Sequence, residues 1–87
     1  MSAWEIWFHP AWDACFSKLD KGMKVRVMKK IEQLAGGISA RHLKQGLPIC
    51  VCEIGQYRLC YHEDKDAAVR TLVFIGTHKD YEEWTGI

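Results

Sequence analysis

Two alternating runs, Ile49-Cys50-Val51-Cys52-Glu53-Ile54 and Tyr57-Arg58-Leu59-Cys60-Tyr61-His62, are separated only by Gly55-Gln56. A two-residue connection with glycine first has the length and chemistry of a tight β-hairpin turn. That spacing sets the register, and register decides which side chains share a face. Ile54 is then opposite Tyr57, Cys52 opposite Leu59 and Cys50 opposite Tyr61. Those six form one mostly apolar face, which must be covered. The other face carries Glu53, Arg58, Cys60 and His62, together with Ile49 and Val51.

The covering elements lie upstream. Trp4, Ile6 and Phe8 alternate within Ala3–Phe8, which reads as a strand, and His9-Pro10 breaks it. Trp12, Cys15, Phe16 and Leu19 then recur at helical spacing, and so do Met23, Val27, Ile31 and Leu34 after Asp20-Lys21-Gly22. Lys24, Arg26, Lys29, Lys30 and Glu32 make the wet face of this second helix, which Gly36-Gly37 closes. Ile38 to Pro48 is a loop with a basic centre, Arg41-His42-Leu43-Lys44. Beyond the hairpin, His62–Ala67 is a polar turn and Ala68–Ile75 a further strand. The order is β-α-α-β-β-β, an α+β domain with a two-helix hairpin packed on a mainly antiparallel four-stranded sheet. At 87 residues the chain has room for one core, so residues 1–87 are read as a single domain.

Charge is uneven along the chain. The net value is +1, but residues 1–48 carry +4 and residues 49–87 carry −3. A basic half permits a nucleic-acid contact without demanding one. No apolar stretch approaches the roughly 18 residues of a membrane span. No secretory leader is visible at the start, so a cytoplasmic location with reduced thiols is expected. The four cysteines include no C-x-x-C pair, and a site built from Cys50, Cys52, Cys60 and His62 would need both faces of the hairpin at once. Buried free cysteine is the expectation.

After the last strand comes Gly76-Thr77-His78-Lys79-Asp80-Tyr81-Glu82-Glu83-Trp84. Four consecutive residues there can move or bind protons. By itself a histidine after a strand is a surface loop residue, and Asp80, with Glu83 three residues on, reads as the cap of a terminal helical turn. Tyr81 and Trp84 then pack that turn onto the body. Arg58 has Glu53 as its cross-strand neighbour and can form a surface ion pair with it. His42 and His62 are expected to face solvent, and His9 to help cap the first helix.

Taken in order, "FSKLDKGMKVRVMKKIEQL", "ARHLK", "IGQYRLCYH" and "VFIGTHKDYEEW" resemble the RelE/ParE toxin superfamily of toxin–antitoxin modules, over nearly the whole chain. The resemblance implies a RelE-like fold and a small antitoxin as cognate partner. For RelE-like members it also implies cleavage of mRNA, often on the ribosome, without a metal or other cofactor. For ParE-like members it implies inhibition of DNA gyrase instead. Carried over by position, Arg58 matches the strand arginine that grips the scissile phosphate. Lys44 and Arg41 match the basic loop that holds RNA backbone. His78, Lys79 and Tyr81 stand where such toxins place catalytic and base-stacking groups, with Trp84 a further stacking candidate. "GTHKDYEEW" looks closer to the HigB-like branch than to the arginine-rich end of RelE itself. Family toxins are commonly strongly basic, and Glu53 stands where many relatives have a basic residue; both departures point toward weakened RNA binding, and an inactive module of the same fold is the third reading.

Overall fold

In the computed structural model, residues 4–37, 42–43 and 49–86 are described. Their elements are β1 (Glu5–Phe8), α1 (Trp12–Phe16), α2 (Lys21–Ala35), β2 (His42–Leu43), β3 (Cys50–Ile54), β4 (Tyr57–Asp64), β5 (Val69–Thr77) and α3 (His78–Thr85). The strands form one sheet in the order β1-β5-β4-β3-β2. β3, β4 and β5 are an antiparallel meander, and β1 lies parallel to β5 on its outer side. The fold is α+β as expected. The sheet gains one strand over the expected four, because His42–Leu43 pairs with Cys50 and Val51 inside what reads as a loop.

The hairpin register is the expected one, with Ile54 opposite Tyr57, Cys52 opposite Leu59 and Cys50 opposite Tyr61. Gly55 has φ +60°, while Gln56 keeps a negative φ, as a turn with glycine in its first central position requires. The expected apolar face is the one under α1 and α2. Cys50, Cys52, Ile54, Leu59 and Tyr61 join Trp12, Leu19 and all four stripe residues of α2 in one buried cluster.

α2 begins where Asp20, in an extended conformation, accepts the Met23 N–H at 2.7 Å. Such a cap is worth about 1 kcal/mol. α1 is shorter than the apolar spacing implies. It ends at Phe16, and i→i−3 bonds from Lys18 to Cys15 and from Leu19 to Phe16 tighten the chain so that Leu19 is buried from a turn. At the entry to α1 the His9 Nδ1 accepts the N–H of Ala11, the residue before the helix, and the His9 carbonyl accepts the Trp12 N–H; Ala11, at the N-cap position, makes no side-chain cap. In β1, Ile6 packs on the core, and Trp4 just before it is half-buried, but Phe8 stays half-exposed against the Trp12 ring.

The opposite face of the sheet is covered as well, which the expected two-helix layer does not provide. A bulge at Cys60/Tyr61 sets Cys60 opposite Phe74 and Tyr61 opposite Leu72, leaving Val73 as the extra residue. Leu72 and Ile75 thereby reach the α1–α2 side, while Val73 and Phe74 join Ile49, Val51 and Cys60 in a second cluster. α3 closes that cluster with Tyr81.

One buried charge ties the layers together. Arg70 is 1% exposed. Its Nη1 donates to the Leu34 carbonyl at 2.8 Å, near the C-terminal end of α2, and its Nε and Nη2 donate to Glu63 at 3.0 and 2.9 Å. The guanidinium also lies 4.2 Å from the Trp4 ring centroid. A planar fork with several donors can satisfy all of these at once, which an ammonium cannot.

Candidate active site

β4 and β5 deliver the candidate residues to one end of the sheet. Arg58 sits opposite Gly76 in the ladder, and Tyr57 opposite Thr77. There β5 ends and α3 begins, because Thr77 turns extended and its hydroxyl accepts the Asp80 N–H at 3.1 Å. Thr77 is therefore the cap. Asp80, expected to cap a terminal turn, lies in the first turn of an eight-residue helix, where its charge complements the helix dipole. The His78 N–H is not left open either. It donates to the Gln56 carbonyl of the hairpin turn at 3.0 Å, which fixes the start of α3 against β4.

α3 folds back over the Arg58 face. The His78 and Tyr81 rings are 6.3 Å apart between centroids. Burial pushes the Tyr81 phenol up, the Cys60 thiol adds to this and the Arg58 guanidinium opposes it. Tyr81 lies beside His78 and packs against Cys60, on the sheet face that also carries Arg58. Its ring is part of the second core, so its first duty is packing. Lys79 is exposed in the same first turn. Trp84 stacks on Phe74 at 4.7 Å with 13° between planes, which holds the far end of α3 down while leaving the indole 41% exposed. Arg41 and Lys44 lie outside the described residues.

Two contacts compete with any ligand. The Arg58 Nη2 stands 3.8 Å from a Glu53 carboxylate oxygen, the cross-strand pair expected from the register, and its Nη1 donates to the Tyr57 carbonyl at 3.2 Å. His78 Nε2 stands 3.0 Å from the Glu82 carboxylate one helical turn on. Glu53, Glu82 and His78 are all about half-exposed, so these are surface pairs worth about 0.2–1 kcal/mol. A phosphate can displace them. The Glu82 contact was not anticipated from the sequence; its signal was a histidine and a glutamate four apart, informative only once the segment is known to be a helix.

The cysteines divide as the register requires. Cys50 and Cys52 are buried on the α1–α2 side and Cys60 on the α3 side, all as free thiols. Burial, the largest cause at each, pushes all three thiols up, Cys60 to about 12. Among the described residues no three His, Cys, Asp or Glu side chains converge as a metal site would need. No helix among them is long and apolar enough to cross a membrane.

No family model matches the chain, and no curated protein matches it in sequence. Solved structures do match it in fold. A double mutant of the E. coli toxin RelE in the free state superimposes with a TM-score of 0.77 at 18% identity, covering 95% of this chain and 92% of that one. The isolated E. coli RelE toxin gives 0.72 at 19% identity over 97% of both chains. A RelBE toxin–antitoxin complex from Mycobacterium tuberculosis gives 0.74 at 15% identity, covering 90% of this chain and 94% of its counterpart. The chain has the RelE toxin fold along nearly its whole length.

Proposed function

We propose that this protein is the toxin of a type II toxin–antitoxin module and that it cleaves mRNA without a metal, blocking translation. The observation that supports the reading is the return of α3 over the Arg58 face: Arg58 pairs with Gly76 two residues before His78, and the His78 ring lies beside Tyr81. The toxin fold of the structural neighbours, several of them solved in complex with an antitoxin, supports the partner.

Metal-free RNA cleavage drives a 2′-hydroxyl onto the adjacent phosphate. It needs a base for that hydroxyl, an acid for the departing 5′-oxygen and positive charge on the phosphate as it gains negative charge. Arg58 supplies the charge, with two parallel N–H donors for two phosphate oxygens. His78 is the residue suited to a proton-transfer role near neutral pH, and Glu82 holds its ring in place. Lys79 adds a second positive charge at the mouth. Tyr81 lines the site and Trp84 offers a face on which an unpaired base can stack; Arg41 and Lys44 have, by the sequence resemblance alone, the role of holding RNA backbone.

A second reading follows from one observation. The Glu53–Arg58 and His78–Glu82 pairs engage the two main candidates, and a module that binds its antitoxin but cleaves nothing would look the same. A gyrase inhibitor of the ParE kind is the third; it needs no titrating residue in this position. Incubating the purified protein with mRNA, with and without ribosomes, and separately assaying gyrase supercoiling distinguishes the three.

A further inference from the structure

β1 is the outermost strand of the sheet, and β5 is its one neighbour. Alternate residues make the bonds between them: the Glu5 N–H donates to the Ala68 carbonyl and the His9 N–H to that of Leu72. The backbone groups of the even residues therefore point the other way, away from the sheet. Trp4 is already engaged on that side, because its N–H donates to the Ala35 carbonyl at the end of α2 at 2.9 Å. The N–H and C=O groups of Ile6 and Phe8 have no backbone partner among the described residues.

Exposed strand edges are commonly blunted by lysine, proline or a bulge. Glu5–Phe8 has none of these, and two of its side chains are large exposed aromatics, Trp7 at 54% and Phe8 at 51%. Such an edge is built to pair. We infer that two copies of this protein associate through β1, antiparallel across a two-fold axis, so that their sheets join into one.

The open groups select the register. Centring the pair on Ile6 sets Trp4 against Phe8 of the second copy and calls for the Trp4 N–H, which Ala35 holds. Centring it on Phe8 sets Ile6 against Pro10, which has no N–H to give. Centring it on Trp7 needs only what is open: Ile6 of each copy exchanges both bonds with Phe8 of the other, and every free group of the two residues is used.

The side chains agree with that register. Glu5 falls opposite His9 of the second copy on both sides of the axis, and Trp7 falls opposite its own counterpart, all at the closely spaced non-hydrogen-bonded positions. The His9 Nδ1 accepts the Ala11 N–H at 3.0 Å, so the ring proton is on Nε2, ready to donate to a carboxylate. Glu5 and His9 are both exposed, and Glu5 has no ion-pair partner among the described residues. β1 runs beside Val69–Leu72, whereas Arg58 and His78 lie at the other end of β5. Pairing is therefore independent of the chemistry proposed there.

Sedimentation velocity under reducing conditions, from about 1 µM to about 1 mM, spans the range in which small interfaces assemble. Wild type is expected to pass from monomer toward dimer across it. Trp7→Lys changes an exposed side chain and sets like charges against each other at the axis; it is expected to stay monomeric with the melting temperature of wild type. Val25→Lys, at an exposed apolar position on α2, is expected to dimerise as wild type does. Cross-linking reads the register. In a Cys15→Ala background, Trp7→Cys brings two thiols to a pair about 4.5 Å apart between Cα atoms, within disulfide reach, and oxidised glutathione is expected to yield a covalent dimer. Glu5→Cys, which faces His9, is expected to stay largely monomeric. A wild type that is monomeric throughout, a dimer that survives Trp7→Lys, or equal cross-linking of the two cysteine variants overturns the inference.

Discussion

The Arg58 guanidinium and the Glu53 carboxylate stand 3.8 Å apart across the β3–β4 ladder, on the face over which α3 folds. The arginine proposed to grip phosphate already has an anion beside it. Replacing Glu53 with glutamine removes that competitor while keeping the side-chain shape. An exposed pair of this kind is worth about 0.2–1 kcal/mol, so RNA affinity is expected to rise by roughly 1.5–5-fold. Glu53→Lys raises it further by adding charge at the same place. Fluorescence anisotropy with a single-stranded RNA checks both, and affinity unchanged in both variants means Arg58 is not at the binding surface.

Arg70 is the residue on which the layers depend. Replacing it with methionine keeps the bulk but leaves the Leu34 carbonyl and the largely buried Glu63 carboxylate without their donor. Breaking a buried pair from one side costs about 3–5 kcal/mol, and Arg70→Lys recovers only part of this because one ammonium cannot reach both acceptors. Urea unfolding measures the loss. A double variant, Arg70→Met with Glu63→Leu, is expected to regain part of it.

Much of the fold could be read from the chain, for identifiable reasons. Gly55-Gln56 allows one register, so every β3–β4 pair followed, including Glu53 with Arg58. The α2 stripe of Met23, Val27, Ile31 and Leu34 was legible because 3.6-residue periodicity over four turns has few other meanings. The bulge was not. It depends on how Val73 and Phe74 share a face with Cys60, and nothing local in "VRTLVFI" signals an extra residue. β1 pairing parallel to β5 and β2 pairing within a loop are long-range choices of the same kind. Nothing in the strand run around Arg70 marks it as a buried charge, because one of its partners is the carbonyl of Leu34, thirty-six residues away. At the site, the residue types and a terminal helical turn are legible, but the helix begins earlier than its sequence suggests, so the cap falls on Thr77 and not on Asp80.

Alkaline pH should loosen the protein through its buried thiols. The Cys60 thiol is pushed from 9.0 to about 12, so an unfolded chain releases this proton first. Stability is full below about pH 9 and falls as pH rises from there toward 12, with a slope of about 1.4 kcal/mol per pH unit for each such thiol. Cys50, Cys52 and Tyr81, all raised as well, steepen the fall in the same direction. Urea midpoints under reducing conditions at pH 7, 9 and 10 test this. Cys60→Ala should flatten the upper part of the curve.

Ala68 closes the β4–β5 turn with φ +56°, a left-handed conformation that costs a non-glycine residue about 1–2 kcal/mol. Glycine removes that strain and adds about 0.5–1 kcal/mol of unfolded-state entropy. Ala68→Gly is therefore expected to stabilise by about 0.5–1 kcal/mol, read as a higher thermal midpoint. A lower midpoint would mean that the turn is held in another conformation.

The most direct test of the account is cleavage of an mRNA on programmed ribosomes by purified wild type, Arg58→Ala and His78→Gln. The account predicts cut RNA with wild type, a fall of about 10²-fold or more in rate with each substitution, and a folded protein in each case, since His78 makes a surface pair and the partly buried Arg58 a loose ion pair and one hydrogen bond to a carbonyl. Cleavage that persists at the wild-type rate in both variants contradicts it.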